Sequence, residues 1–234
     1  MSIQLKNISK SFKNIEVYRN FSLNLPENQI SCILGPSGCG KTSLLNMIGG
    51  ILEQDSGTIA GLKDKFLSFI FQEPRLLPWK TVKANLEFVL KDTSVKGNKE
   101  IVERNLRIVG LQNFASFYPH QLSGGMKQRV AIARAFCYPS NIILMDEPLK
   151  TLDPKLKWNL MKTFLKLWRE DQRTVIFVTH DVDEALVLGE EIYVFSKPPV
   201  TVKKRFTNHL TEEEKYMTNM EFFRQKNEIM DHLD

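Results

Sequence analysis

Apolar and polar positions alternate in short runs over residues 2–34 (IQLKNI, VYRNFSLNL) and then give way to an unbroken apolar run at Ile30–Leu34. Period-two alternation marks strands with one buried face, and a short continuous apolar run bounded by turn residues marks a strand buried on both faces. The pattern therefore predicts a small antiparallel region feeding a buried strand. Gly and Pro punctuate residues 35–40, and Lys41–Ile48 continues as a helix. Residues 66–71 (FLSFIF) predict another strand. From Thr81 to about Tyr138 the spacing becomes helical: Val82, Leu86, Val89 and Leu90 fall at i, i+4, i+7 and i+8, and Ile101, Val102, Leu106 and Val109 repeat the theme.

Strand and helix then alternate: a strand at 141–145, a helix at 154–169, a strand at 175–179, a helix at 182–188 and a strand at 192–195. Asp153 with Pro154 at the first helical position, and Asp181 with Glu184 three residues on, mark two helix starts. Thr211 and Glu214 predict a capping box that opens a C-terminal helix over 211–234. Alternating strands and helices imply an α/β fold with a mainly parallel sheet. The helical block at about 81–138 interrupts the alternation and reads as an inserted subdomain, leaving about 1–80 and 139–210 as the core of a single domain.

Composition narrows the field. The 234 residues are 42% apolar and 25% charged, with 32 Lys and Arg against 27 Asp and Glu for a net charge of +5. These values exclude disorder, collagen and disulfide scaffolds. The basic excess is thinly spread, with no charged face or tail of the kind a nucleic-acid binder carries, so no nucleic-acid partner is expected. Cys32, Cys39 and Cys137 lack metal-like spacing and fit a reducing compartment. The start, MSIQLKNISK, has no apolar signal core, and no run approaches the roughly 18 apolar residues needed to cross a bilayer.

Residues 35–42 read Gly-Pro-Ser-Gly-Cys-Gly-Lys-Thr, which matches G-x-x-x-x-G-K-[ST] between a predicted strand and a predicted helix. Its glycines let backbone N–H groups turn inward toward phosphate oxygens, and the helix adds its positive end. Lys41 supplies charge to the outer phosphates and Thr42 offers a hydroxyl to Mg²⁺. Gly35, Pro36, Ser37, Gly38, Cys39, Gly40, Lys41, Thr42 and Ser43 are thus the candidate nucleoside-triphosphate residues. Asp146 and Glu147 close the predicted strand NIILM, at the sheet edge where ligands of α/β proteins bind. Asp146 would hold Mg²⁺ through its water shell, and Glu147 would orient or deprotonate an attacking water. Such adjacent roles favour hydrolysis over simple binding.

A second anion-binding feature follows from Leu122-Ser-Gly-Gly-Met-Lys-Gln-Arg129, which opens a predicted helix. Ser123, Gly124 and Gly125 would present N–H groups at a helix start, although a Ser-Gly pair also serves as an ordinary cap. One nucleotide needs one cradle, so the second would serve a nucleotide held by another molecule, in a head-to-tail dimer with two nucleotides at its interface.

LSGGMKQR resembles the signature sequence of the ATP-binding cassette (ABC) family. The order of the other features fits as well: the phosphate loop, Gln72 after a strand, MDEP at 145–148, and Thr179-His180-Asp181 after a last core strand. The resemblance covers essentially the whole chain and implies a P-loop NTPase core, an N-terminal antiparallel β subdomain and an inserted helical subdomain. By the same resemblance, Phe12 stacks on adenine. Gln72 senses Mg²⁺ and the attacking water and links the core to the helical subdomain. His180 contacts the γ-phosphate, and Asp153 lies on the loop that crosses the dimer interface. The implied catalytic set is Glu147, His180, Gln72 and Lys41, with Thr42, Gln72 and Asp146 at the metal. One departure stands out: the family commonly shows a small, serine-containing run between Pro148 and Asp153, where this chain has Leu149-Lys150-Thr151-Leu152.

The interval from Gln72 to Ser123 leaves no room for the long coiled coil of chromosome proteins, and a single cassette counts against translation factors. The absence of a fused transmembrane segment favours importers built from separate chains. Phe71-Gln-Glu-Pro-Arg-Leu-Leu-Pro-Trp79 and HDVDEAL at 180–186 resemble the cassette subunits of nitrate, sulfonate and taurine importers. The expectation is an ATPase subunit, peripheral on the cytoplasmic face of the membrane, that pairs with a second copy of itself and with integral membrane permease subunits. An extracytoplasmic substrate-binding protein would act with it indirectly. Leu76, Leu77 and Trp79 would dock the permease, or else pack internally. The rival readings are a soluble ATPase of the same family with a non-membrane partner, and a P-loop kinase, which would have no use for LSGG.

Overall fold

The structure, a computed structural model, describes residues 2–91, 93, 96–150, 152–211, 213–215 and 219–233. Its elements in chain order begin with β1 (Ser2–Phe12), β2 (Ile15–Pro26), β3 (Ile30–Leu34), α1 (Lys41–Ile48), β4 (Ser56–Ala60) and β5 (Leu67–Ile70). There follow α2 (Val82–Phe88), α3 (Asn98–Ile108), α4 (Gly124–Cys137), β6 (Ile142–Asp146) and α5 (Pro154–Asp171). The last are β7 (Thr174–Thr179), α6 (Val182–Leu188), β8 (Glu191–Phe195), β9 (Val202–Thr207) and α7 (Met220–Met230). The chain divides into two compact units, Met1–Lys65 with Thr174–Asp234, and Phe66–Arg173.

In the first unit, β2, β1 and β4 form an antiparallel sheet in which alternate residues (Ile3, Leu5, Ile8 and, from β2, Leu23 and Leu25) are buried. This is the expected antiparallel region, extended by β4. A second set of strands places β3 between β7 and β8, parallel to both, with β9 antiparallel to β8 at the outside. Every residue of β3, β7 and β8 is buried, as parallel strands covered on both faces require. β9 (VKKRFT) is mostly exposed, and its charges suit an outer strand that must resist pairing with another chain.

In the second unit, β5 and β6 pair in parallel, α4 packs against β5, and α2, α3 and α5 pack against α4. The Arg173 guanidinium closes the end of α4 by donating to the carbonyls of Phe136 (3.0 Å) and Tyr138 (2.6 Å), while its Nε donates to Asp171 (2.6 Å). Those carbonyls have no partner within the helix, so the guanidinium satisfies what the helix leaves open.

The end of the chain departs from the expected helix over 211–234. The Thr211–Glu214 box forms: Glu214 N donates to Thr211 Oγ1 at 3.3 Å, and Thr211 N donates to the Glu214 carboxylate at 2.9 Å. The next described helix is nonetheless α7, which starts at Met220 with Asn219 as its cap. Capping alone does not sustain a helix; most of its stability comes from an apolar face. Glu213, Glu214 and Lys215 offer no such face, whereas α7 buries Phe222 and Ile229; residues 212 and 216–218 of the expected helix lie outside the described residues.

Candidate functional site

The candidate residues fall into two groups, one in each unit. In the first unit, the loop from Gly35 to Gly40 joins β3 to α1, as the motif demands. The Lys41 side chain is 4% exposed and folds back beneath the loop, donating to the carbonyls of Gly35 (2.8 Å) and Pro36 (3.0 Å). Gly40 has φ +109, and a Cβ there would stand 2.5 Å from Val17 Cγ1, so only glycine fits. Tyr18, fully buried, donates its hydroxyl to the Gly40 carbonyl at 3.0 Å, and burial pushes its phenol above the ordinary pKa. It ties the loop to the β subdomain beneath it. Gly38 has no atom within 4 Å of an added Cβ, so the mouth of the loop is open.

The Cys39 side chain turns away from the mouth of the loop. It is 1% exposed, and a Cβ on Gly35 would come within 3.1 Å of the Cys39 Sγ, so the thiol packs under the loop. All three cysteines are buried. Burial raises the Cys32 thiol well above its ordinary pKa and Cys137 to about 12, which removes the thiolate that oxidation and metal binding require.

His180 leaves the same edge of the strands. Leu34 pairs with Thr179 in register, so Gly35 and His180 are the next residues off neighbouring strand ends. The Thr179 hydroxyl donates to the Glu184 carboxylate at 2.6 Å and accepts from Asp181 N at 3.1 Å. Asp181 caps α6 by accepting from Asp183 N and Glu184 N. These bonds fix the backbone on both sides of His180 and leave its side chain exposed. Phe12 ends β1 with its ring 41% exposed, and Lys10 Nζ lies 5.7 Å from the ring centroid.

In the second unit, Ile70 pairs with Met145, so Gln72 and the Asp146–Glu147 pair leave β5 and β6 at one edge. Glu147 has φ +41, a left-handed conformation that costs a non-glycine residue roughly 1–2 kcal/mol. Its side chain is nearly buried, and Lys150 Nζ lies 2.8 Å from Glu147 Oε2. Thr151 lies outside the described residues.

α4 opens with Ser123 as its cap, the Oγ accepting from Met126 N at 3.3 Å. Gly125 is crowded, since an added Cβ would meet Leu156 Cδ2 at 2.2 Å and that side chain would have to move. Gly124 is not: it is exposed, and nothing lies within 4 Å of where its Cβ would be. Gln128 Nε2 donates to the Phe71 carbonyl at 3.4 Å, which tethers the signature helix to the strand end preceding Gln72. Asp153 accepts from Leu156 N at 3.0 Å and so caps α5.

The contacts of Tyr18, Gln128 and Thr179 with the loop, the strand end and Glu184 were not among the sequence expectations. Tyr18 and Gln128 sit at positions that read only as core or as helix, and their partners lie 22 and 57 residues away.

Residues 18–150 match the ABC transporter family model. The chain belongs to the ABC transporter family. Two relatives extend the match over most of this ABC protein. The aliphatic sulfonates import ATP-binding protein of Bacillus cereus is 39% identical over 90% of this chain and 87% of its own length. The taurine import ATP-binding protein of Pelagibacter ubique is 39% identical over 86% of this chain and 81% of its own. Among solved structures, an ATP-binding cassette captured as a dimer in a post-hydrolysis state with ADP and Pi superposes with a TM-score of 0.75. It is 32% identical and covers 89% of this chain and all of the other. The fold is that of a P-loop NTPase cassette, and this ABC protein is an ATP-binding ATPase.

Proposed function

We propose that the chain is the ATP-hydrolysing motor subunit of a multi-chain importer, in which two copies close head-to-tail on two Mg-ATP and drive a separate membrane permease. The observation that carries the two-copy reading is Gly124. Two helix starts can receive an anion: α1 behind the phosphate loop and α4 behind Ser123. At α4, Ser123 and Gly124 are exposed, and among the described residues no atom lies within 4 Å of where a Cβ at position 124 would be. A glycine there suits close approach by a phosphate group belonging to a second copy.

In this reading Gly35–Ser43 enclose the phosphates, with Lys41 balancing their charge, and Phe12 stacks on adenine. Ser123, Gly124, Gly125 and Asp153 reach the nucleotide of the partner. Thr42, Gln72 and Asp146 offer hard oxygen donors, which suit Mg²⁺, an ion that keeps water and phosphate oxygens in its shell. Among the described residues no group of three or more His, Cys, Asp or Glu is placed to hold a metal ion. When bound, Mg²⁺ neutralises charge on the phosphoryl group in transfer. Glu147 accepts a proton from the attacking water as its oxygen bonds to the γ-phosphorus, and ADP leaves with the electron pair of the broken P–O bond. His180 contacts the γ-phosphate. Residues 81–138 act as the helical subdomain that carries the signature.

The sulfonate and taurine relatives support an importer of nitrate, sulfonates, taurine or a similar small solute, delivered to the permease by an extracytoplasmic binding protein. Among the described residues no helix is long and apolar enough to cross a membrane; the peripheral position on the cytoplasmic face rests on the likeness to importer ATP-binding subunits. Trp79, 70% exposed, is the apolar side chain offered to the permease; Leu76 and Leu77 are half-buried, and the Asn85 side chain clamps Leu77 through both its N–H and its carbonyl. Tagged Glu147→Gln protein, purified gently from its own host with ATP present, should bring down an integral membrane protein in stoichiometric amount, identified by mass spectrometry. Ribosomal or DNA-associated partners with no membrane protein would overturn transport.

A further inference from the structure

Lys150 is the residue that departs from the family's run after Pro148, and it lies against the candidate base. Two bonds join it to Glu147. Lys150 N donates to the Glu147 carbonyl at 3.2 Å, which closes the turn, and Lys150 Nζ meets Glu147 Oε2 at 2.8 Å. The buried Leu149 and the bond from Leu152 N to the Leu149 carbonyl (3.2 Å) anchor the same turn from its other side.

We propose that Lys150 is a positioning residue for the catalytic step, holding the Glu147 carboxylate in the orientation from which it takes a proton from water. The proposal rests on the reading of Glu147 as base. An ion pair between two solvated side chains holds little, because both must give up their freedom for a weak attraction. This pair differs in two respects. The Glu147 side chain is only 11% exposed against 39% for that of Lys150, so one partner is already confined. The turn's backbone bond (Lys150 N to Glu147 O, 3.2 Å) sets the separation of the two residues, so closing the pair costs less side-chain freedom than it would between two solvated partners. Glu147 also projects from a left-handed backbone, where the usual side-chain directions do not apply. Lys150 is one of the groups that fix where its carboxylate points. Catalytic groups misplaced by about 1 Å lose as much as 10²-fold in rate, so releasing one tether while others remain predicts a smaller loss.

The test is steady-state ATPase kinetics of Lys150→Met, which keeps an unbranched side chain of similar length and removes the charge. The expected result is a fall in kcat of about ten-fold, with the KM for ATP within two-fold and an unchanged melting temperature. Lys150→Arg should restore most of the rate. In the Glu147→Gln background, measured in single turnovers, Lys150→Met should cause no further loss. Wild-type or faster turnover in Lys150→Met, or an equal loss in both backgrounds, would overturn the proposal. If Glu147→Gln itself keeps wild-type turnover, the base assignment fails and the proposal with it. If Glu147→Gln is inactive while Lys150→Met turns over normally, only the role of Lys150 is lost.

Discussion

Replacing Glu147 with glutamine is expected to slow ATP turnover by roughly 10²- to 10⁴-fold, the range that removal of a positioned general base produces, while nucleotide affinity stays within about two-fold. The substitution keeps the volume of the side chain and its one remaining carbonyl, so the turn after β6 should persist. What is lost is the negative charge and basicity of the carboxylate. The affinity should survive because the phosphate loop, which lies in the other unit, is untouched. Phosphate release under saturating Mg-ATP gives the rate, and titration with a fluorescent ATP analogue gives the affinity. Turnover within three-fold of wild type would remove Glu147 from the mechanism. The outcome also separates Glu147 from Asp146, whose replacement by asparagine should weaken nucleotide binding that depends on Mg²⁺.

Lys41→Ala should produce the opposite split, with affinity as the first casualty. The Lys41 ammonium is almost fully enclosed and held by two carbonyls of its own loop. Those bonds keep the charge at the base of the cradle before any nucleotide arrives, so its attraction for phosphate is not diminished by ordering a free side chain. A hydrogen bond to a charged group contributes about 1.5–3 kcal/mol, so its loss corresponds to roughly 10- to 100-fold in dissociation constant. Truncation also leaves the Gly35 and Pro36 carbonyls without this donor, which loosens the loop. Equilibrium titration of the variant with labelled ATP tests this, with circular dichroism confirming the fold. An affinity within two-fold of wild type would show that the backbone amides alone hold the phosphates.

Much of this architecture is written in local patterns. The runs at Ile30–Leu34, 175–179 and 192–195 are apolar without interruption because strands covered on both faces leave no solvated side, and each is a strand of the parallel set. α6 occupies the expected residues because Asp181 caps it where the capping pattern pointed. By contrast, β4 (SGTIA) and β9 (VKKRFT) escape such reading. Each lies at the outside of its sheet with mostly exposed side chains, so neither carries apolar alternation, and both owe their form to the neighbour they pair with. The start of α7 was hidden for the converse reason: a capping box forms at Thr211, yet the next described helix opens only behind Asn219.

The same division runs through the candidate site. The phosphate loop and the signature are contiguous, and Gly40 and Gly125 are crowded by the fold, through the approach of Val17 and of Leu156. The supports of the site are not contiguous. Tyr18 under the loop and Gln128 behind Phe71 act across folded distances that spacing along the chain does not encode. Cys39 shows the limit from the other side. Its position in the motif places its backbone in the loop between β3 and α1, while only the three-dimensional packing shows its thiol turned inward. Lys150 was legible as a departure, but its contact with Glu147 depends on the left-handed turn that brings the two side chains together.

The closing of two copies on two nucleotides is tested most directly by the solution mass of Glu147→Gln protein, measured by sedimentation equilibrium with and without saturating Mg-ATP. Slow hydrolysis should trap the nucleotide-bound form, so the account predicts twice the monomer mass with Mg-ATP and the monomer mass without it. It also predicts a return to monomer when Gly124→Asp, which places a carboxylate where the partner's phosphate would sit, is added to the same chain. A mass that stays monomeric at saturating Mg-ATP, with ATP binding shown on the same sample, would contradict the account.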